Sequence, residues 1–420
     1  MTQSTSQGKP FEISKWAVQE AYRRVKANKG APGVDGVSIE MFESDLKNNQ
    51  YKVWNRMSSG TYFPPPVRAV EIPKSSGGVR VLGVPTVADR VAQTVVAMEL
   101  EKRVEPMFHQ DSYGYRPGRS ALEAVGACRK RCWRYNWVID LDIAKFFDTV
   151  DHDLMMKAVR ANTNQKWVVL YVQRWLKAPM RYPDGTVAAR DRGTPQGSAV
   201  SPILANLFLH YAFDAWMARE FPEIPFERYV DDAVVHCHSQ RQAEMVRDKI
   251  RRRLAEVGLT LHPGKTKIVY CKDGRRTGTA GHVSFDFLGY TFRTRGARDK
   301  NGNMFTSFLP AISKTAMKAI NAEVRSWRLQ LHSTWTLGQI ARWINPIVRG
   351  WIQYYGRFYR SELYVLCKRI NTYLVRWARK KYRRLHGFKK VHDWWKQLGE
   401  AYPRLFFHWS FTRGFMPTGW

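Results

Sequence analysis

Three aspartates stand where a carboxylate is costly. Asp142 closes the short apolar run Trp-Val-Ile-Asp-Leu-Asp (137–142), which reads as a buried strand. Asp231 and Asp232 are adjacent at the tip of a segment, 226–237, that reads as strand, tight turn, strand. Neighbouring carboxylates repel, and each is expensive to desolvate. An isolated Asp-Asp pair is an ordinary turn. Here Tyr229-Val230 and Ala233-Val234-Val235 flank it, so the acid sits in a buried hairpin and needs a counter-charge. Mg²⁺ supplies one, because it favours a few carboxylate oxygens completed by water and phosphate. Two such ions suit in-line phosphoryl transfer: one lowers the pKa of an attacking 3′-hydroxyl, the other steadies the departing pyrophosphate.

The elements that must position these acids follow from periodicity. A helix is expected over 15–27, then the Gly/Pro loop Asn-Lys-Gly-Ala-Pro-Gly-Val-Asp-Gly (28–36). Residues 67–73 alternate as a strand, Ser75-Ser76-Gly77-Gly78 turns the chain, and 79–82 returns. A helix is expected over 87–105. Between the two acidic strands lies a Gly/Pro loop from Gly193, with a helix starting near Pro202. After 238 a helix is expected, capped by Ser239 and Gln242, with Ala243, Val246, Ile250, Leu254 and Val257 on one face and Gly258 as its stop. Residues 284–308 suggest a hairpin turning at Asn301-Gly302, and the polar run 293–303 is the best domain boundary. Beyond it the chain turns helical. Met317, Ile320, Val324, Trp327 and Leu331 form one stripe. Thr336 and Gln339 cap a second helix that Pro346 should end or kink. Leu363, Leu366, Ile370, Tyr373 and Trp377 form a third stripe.

Charge points to the partner. The 420 residues carry 68 Lys+Arg against 36 Asp+Glu, a formal net charge of +32. Such an excess opposes compaction unless a polyanion relieves it, and nucleic acid is the obvious one. The five cysteines form no CxxC pair, and Cys128 and Cys132 lie four apart as on one helix face. That pattern suggests a reducing intracellular setting with neither a disulfide framework nor a zinc clip. The N-terminal residues read as no signal peptide, and no stretch of apolar sequence is long enough to span a membrane.

Five motifs, in order, carry a resemblance. Tyr-Val-Asp-Asp (229–232) resembles the YxDD box of reverse transcriptases, and Asp-Ile-Ala-Lys-Phe-Phe-Asp-Thr-Val-Asp-His (142–152) their first catalytic palm motif. Gly-Thr-Pro-Gln-Gly-Ser-Ala-Val-Ser-Pro-Ile-Leu-Ala-Asn (193–206) resembles the loop motif between them. Gly-Leu-Thr-Leu-His-Pro-Gly-Lys-Thr-Lys (258–267) and Phe-Leu-Gly-Tyr (287–290) match the next two in spacing. The resemblance runs over roughly 15–390 and is best to the group II intron maturases.

That resemblance implies an α+β right-hand polymerase: fingers and palm, an antiparallel sheet plus helices, then an α-helical thumb or maturase domain. It divides the chain into an N-terminal extension (1–60), fingers and palm (61–292), thumb/maturase (304–390) and a basic-aromatic tail (391–420). It implies an RNA-directed DNA polymerase adding dNTPs to a primer on an RNA template. Two Mg²⁺ ions, or Mn²⁺, are held by Asp142, Asp231 and Asp232, with Ile143 counted in the metal site. Lys74 and Arg80 grip the triphosphate, as a point charge and a bidentate fork. Phe147 lies under the incoming sugar, where its ring would clash with a 2′-hydroxyl, while Phe146 belongs to the core. Gln196 and Gly197 approach template and nucleotide. Lys265 protonates the leaving pyrophosphate.

Nucleic-acid contacts are expected at Asn28 and Lys29 in the N-terminal extension and at Arg349, Arg376, Arg379, Lys380 and Lys381 in the thumb. A group II intron RNA is one expected partner, in a bacterial cytoplasm as a ribonucleoprotein or on the nucleoid. Val230 departs from the Ala usual in this box. It keeps open a free-standing enzyme of DNA repair or defence, and a splicing factor without catalysis is the reading of another class. Residues 391–420 look too short for a large DNA-binding domain, and no His/Cys cluster of an HNH endonuclease is seen.

Overall fold

The structure, a computed structural model, describes residues 9–73, 78–276, 278–299 and 301–411. The chain forms two compact units. The first comprises Met1–Ala124, Ile139–Val235 and Gln240–Lys267; the second comprises Val125–Val138, His236–Ser239 and Ile268–Trp420.

In the first unit, Ser14 caps the helix Lys15–Asn28, which buries Val18, Ala21, Tyr22 and Val25 at helical spacing. The strands Val67–Pro73 and Val79–Val84 pair antiparallel. Thr86 caps the long helix Val87–Val104, which is buried on almost every side and carries Asp89, Arg90 and Gln93 into the interior. Arg90 donates to the carbonyls of Lys29 at 3.1 Å and Ala31 at 3.0 Å, tying the Gly/Pro loop to this helix. The helix expected near Pro202 spans Ser201–Leu209, then widens into a π-helical turn, His210–Asp214, before Ala215–Glu220.

The acidic residues ride on a four-stranded sheet ordered Phe226–Tyr229, Asp232–Cys237, Trp137–Asp142, Lys267–Tyr270. Central placement of the strands bearing Asp232 and Asp142 makes their ends neighbours, as the apolar runs around them required. The helix Gln240–Glu256 follows with Ala243, Val246, Ile250 and Leu254 buried, and Gly258 ends it at φ 75°.

In the second unit the described residues of the polar run belong to a strand and the turn that follows it. Tyr290–Arg298 pairs with Met304–Ile312 along its whole length. Asp299 accepts from the amides of Asn301 and Asn303 at 2.8 Å, and Gly302 takes φ 86°. The run looked like a linker because one strand face is exposed. Its buried Arg295 is held by Glu362 and by the Leu309 carbonyl at 3.3 Å.

The helices Lys314–Ser326, Leu337–Tyr355, Tyr364–Lys381 and Phe388–Ala401 enclose a core that includes Val324, Ile344, Val348, Ile370, Trp377 and Phe406. The capping box at Thr336 and Gln339 is present. Pro346 does not end its helix: burial of Ile344, Val348 and Ile352 on one face outweighs the lost hydrogen bond, a cost of about 3 kcal/mol. Leu331 leaves the first stripe. The helix stops at Ser326, Arg328 turns left-handed at φ 44°, and Leu331 is 61% exposed. The segment read as a tail from 391 holds the end of Phe388–Ala401 and the short helix Phe407–Phe411, joined by a turn, with Val391, Trp395 and Phe406 in the same core. No helix among the described residues is long and apolar enough to cross a membrane.

Candidate active site

The acidic turn is tight. Tyr229 and Asp232 form the last paired residues of the hairpin, leaving Val230 and Asp231 at its tip. Val230 adopts φ 61°, a conformation β-branched residues resist at a cost of about 1–3 kcal/mol, so the surroundings must hold it. Gly114 and Arg228 do so. A Cβ on Gly114 would fall 2.6 Å from Val230 Cγ2 and 2.7 Å from its amide nitrogen, so only glycine fits against the turn. Arg228, buried behind the turn, donates to the Val230 carbonyl at 3.0 Å.

Burial pushes the Asp231 carboxyl above its ordinary value. The Asp142 charge pushes in the same direction, while Arg80 and Arg228 oppose it. Two acids from different strands therefore share one field, the repulsion a hard cation relieves. Asp142 itself meets Lys265, Nζ to Oδ2 at 3.0 Å. Its backbone is fastened to the 260–266 loop: His262 N donates to the Asp142 carbonyl at 2.7 Å, and Ala144 N to Thr260 at 2.8 Å. Ile143 is buried and has no ligating side chain, so only its backbone carbonyl can serve a metal.

A second group of residues surrounds the Gly193 loop. Arg80 Nε donates to Gln196 Oε1, and Gly83 N to the Gln196 carbonyl at 2.7 Å. Gly197, at φ 109°, passes so close that a Cβ would lie 2.7 Å from the Gly83 carbonyl. Thr194 N donates to the Phe147 carbonyl at 2.7 Å, so Phe147 is tied to this loop, while Phe146 is core. Gln93 fixes the loop from below: its Oε1 accepts from Ser198 Oγ and Ala199 N, both at 2.7 Å. Gln93 Nε2 in turn donates to Asp89 at 2.9 Å, and Asp89 also accepts from Tyr62 at 2.9 Å and Trp175 at 2.7 Å.

Burial raises the Asp89 carboxyl from 3.8 to about 6, against three stabilising donors. The folded state thus holds a proton that the unfolded chain releases, and stability falls as pH rises from about 4 to about 6. Asp89→Asn should remove that slope, worth roughly 3 kcal/mol at full effect. Chemical denaturation of both proteins across this window measures it, and parallel curves would contradict the assignment.

Residues 72–292 match the family described as reverse transcriptase (RNA-dependent DNA polymerase), more than half of the chain. The chain belongs to the reverse transcriptase family. Residues 317–395 match the group II intron maturase-specific domain, so this reverse transcriptase is of the group II intron type. It is 31% identical over 360 residues to Protein YkfC of Escherichia coli (strain K12), covering 76% of this chain and 91% of that protein. It is also 31% identical over 191 residues to the group II intron-encoded protein LtrA of Lactococcus lactis subsp. cremoris, across 45% of this chain and 32% of LtrA. The chain is an RNA-directed DNA polymerase with the α+β architecture the five motifs implied.

Not all of the expected residues of this reverse transcriptase meet. Asp142, Asp231, Asp232, Arg80, Gln196, Gly197, Phe147 and Lys265 all lie in the first unit, on the strands and loops described. Lys74 lies outside the described residues. Asn28 and Lys29 are exposed at the end of the first helix. Arg349, Arg376, Arg379, Lys380 and Lys381 lie on helices of the second unit. Arg349 stacks over Phe407 at 5.0 Å, and Lys381 donates to the Trp335 carbonyl at 2.5 Å.

Sequence reasoning missed Arg228, Asp214, Asn206, Gln93 and Asp89. Arg228 was the one visible signal: a cation beside the acidic turn, within a strand read as buried, needs an anion elsewhere.

Proposed function

We propose that this reverse transcriptase extends a primer 3′-hydroxyl on an RNA template with dNTPs, using two Mg²⁺ ions, or Mn²⁺, at Asp142, Asp231 and Asp232. The observation that carries the reading is the half-buried Asp231 at the hairpin tip, its carboxyl raised first by burial and then by the charge of Asp142. The donor set is hard oxygen and fits such an ion. When bound, the ions would acidify the 3′-hydroxyl and neutralise charge on the leaving pyrophosphate.

This chain's residues do the rest. Arg80, steadied by Gln196, offers a planar fork to the triphosphate, with Lys74 beside it in sequence. Lys265 neutralises Asp142 and supplies the proton for pyrophosphate. Gly197 lets template and nucleotide approach the backbone. The thumb cations and Asn28–Lys29 contact the nucleic-acid backbone, and a group II intron RNA is the maturase partner.

Primer extension on RNA and DNA templates tests the activity. Phe147→Val should leave dNTP addition largely intact and raise ribonucleotide addition about 10- to 200-fold, the worth of a side chain's bulk in a pocket. Unchanged sugar selectivity would remove Phe147 from the gate. A second reading, a free-standing repair or defence enzyme, is kept by Val230, which stands buried and left-handed against Gly114 where the family resemblance implies Ala. Extension from short, weakly paired ends distinguishes it.

A further inference from the structure

A cavity of about 850 Å³ opens in the second unit, lined by Arg129, Arg298 and Arg360 together with Trp133, Phe305 and Tyr359. We propose that it binds an unpaired stretch of RNA, the bases stacking on Trp133 and Phe305 and the phosphates meeting the three arginines. The proposal rests on the reading of this chain as an RNA-templated enzyme with a maturase domain, and names a second RNA contact apart from the acidic turn.

Four observations support it. First, Trp133 and Phe305 are large aromatics left 42% and 48% exposed, which water disfavours and a nucleobase covers well. Trp133 is held for stacking by its indole N–H, which donates to the Phe308 carbonyl at 3.2 Å. Second, Arg129 lies over Trp133 at 4.6 Å and over Phe358 at 5.8 Å, a cation set among aromatic faces that a base can join. Its Nε is buried from solvent, with no hydrogen-bond partner among the described residues. Third, among the described residues no acidic side chain lines the cavity beside the three guanidinium groups. Fourth, the walls are set: Tyr359 donates to the Gly296 carbonyl at 2.8 Å, and Arg360 stacks on Phe411 at 4.3 Å. The volume suits a nucleotide, within the roughly 300–1,000 Å³ of ligand sites. Phe358, Tyr359 and Arg360 lie inside the maturase-specific match, which favours RNA over DNA as the occupant.

Fluorescence anisotropy of the full chain with a short unpaired RNA, and ultraviolet crosslinking of a thiouridine-labelled copy, test the proposal. Trp133→Ala and Phe305→Ala should each weaken binding roughly 5- to 100-fold, and crosslinks on the unaltered chain should map to these residues or to 358–361. Nucleotide addition on a saturating, pre-annealed primer–template should persist in both variants. Asp231→Ala should do the reverse, losing addition while keeping the RNA, which separates failure of this site from failure of the polymerase assignment. Undiminished RNA binding in both variants would overturn the proposal. So would crosslinks confined elsewhere, or equal loss of a matching unpaired DNA.

Discussion

Asp231→Ala is expected to lower the rate of nucleotide addition by at least roughly 10³-fold, with Asp142→Ala behaving alike. Asp231 sits where charge is already unfavourable. Burial and mutual repulsion raise Asp231, and Asp142 is balanced by Lys265 at 3.0 Å. Removing either carboxylate relieves that repulsion, so the variants should be no less stable than the parent, a sign that the acids serve chemistry and not folding. Single-turnover primer extension gives the rate and thermal melting the stability. Full activity in either variant would remove that residue from the site.

The second large effect lies behind the turn. All five N–H groups of the Arg228 guanidinium are used. Nε and Nη2 grip Asp214 at 2.7 and 2.6 Å, Nη2 also reaches Ser112 at 2.8 Å, and Nη1 divides between Asn206 and Val230, both at 3.0 Å. The pair is buried, with side chains 1% and 0% exposed. Breaking such a pair strands a charge, so Arg228→Met or Asp214→Asn should cost about 3–5 kcal/mol, read from denaturant midpoints. Arg228→Lys should not rescue, since three donors cannot reproduce five.

Arg228→Met combined with Asp214→Leu should regain much of the stability, because two apolar groups leave no orphaned charge. It should not regain nucleotide addition, because nothing then holds the Val230 carbonyl and the left-handed turn. Recovery of both would make the network purely structural. The π-helical turn His210–Asp214 belongs to the same device, since it ends on the aspartate that Arg228 requires.

What could be read from residues alone was whatever burial writes as periodicity. The apolar runs around Asp142 and the Asp231–Asp232 pair disclosed the acidic strands, and the stripes at Ala243–Leu254 and Leu366–Trp377 disclosed helices. Thr336 and Gln339 announced a cap because that chemistry is local. At Pro346 the helix continues because tertiary burial overrides a local preference, and Arg293–Arg298 reads as polar because a half-exposed strand carries a buried arginine. Asp89, Gln93 and Asp214 gave no local sign. Their partners Trp175, Ser198 and Arg228 are remote in sequence, and only folding brings these polar groups together.

The most direct measurement locates the ions. Crystals of the enzyme with primer, RNA template and a non-hydrolysable dNTP, grown in Mn²⁺, can be examined by anomalous scattering. The account predicts manganese peaks bounded by the carboxylates of Asp142, Asp231 and Asp232, lost in Asp231→Ala. Peaks elsewhere, or an ordered nucleotide beside these three residues without manganese, would contradict it.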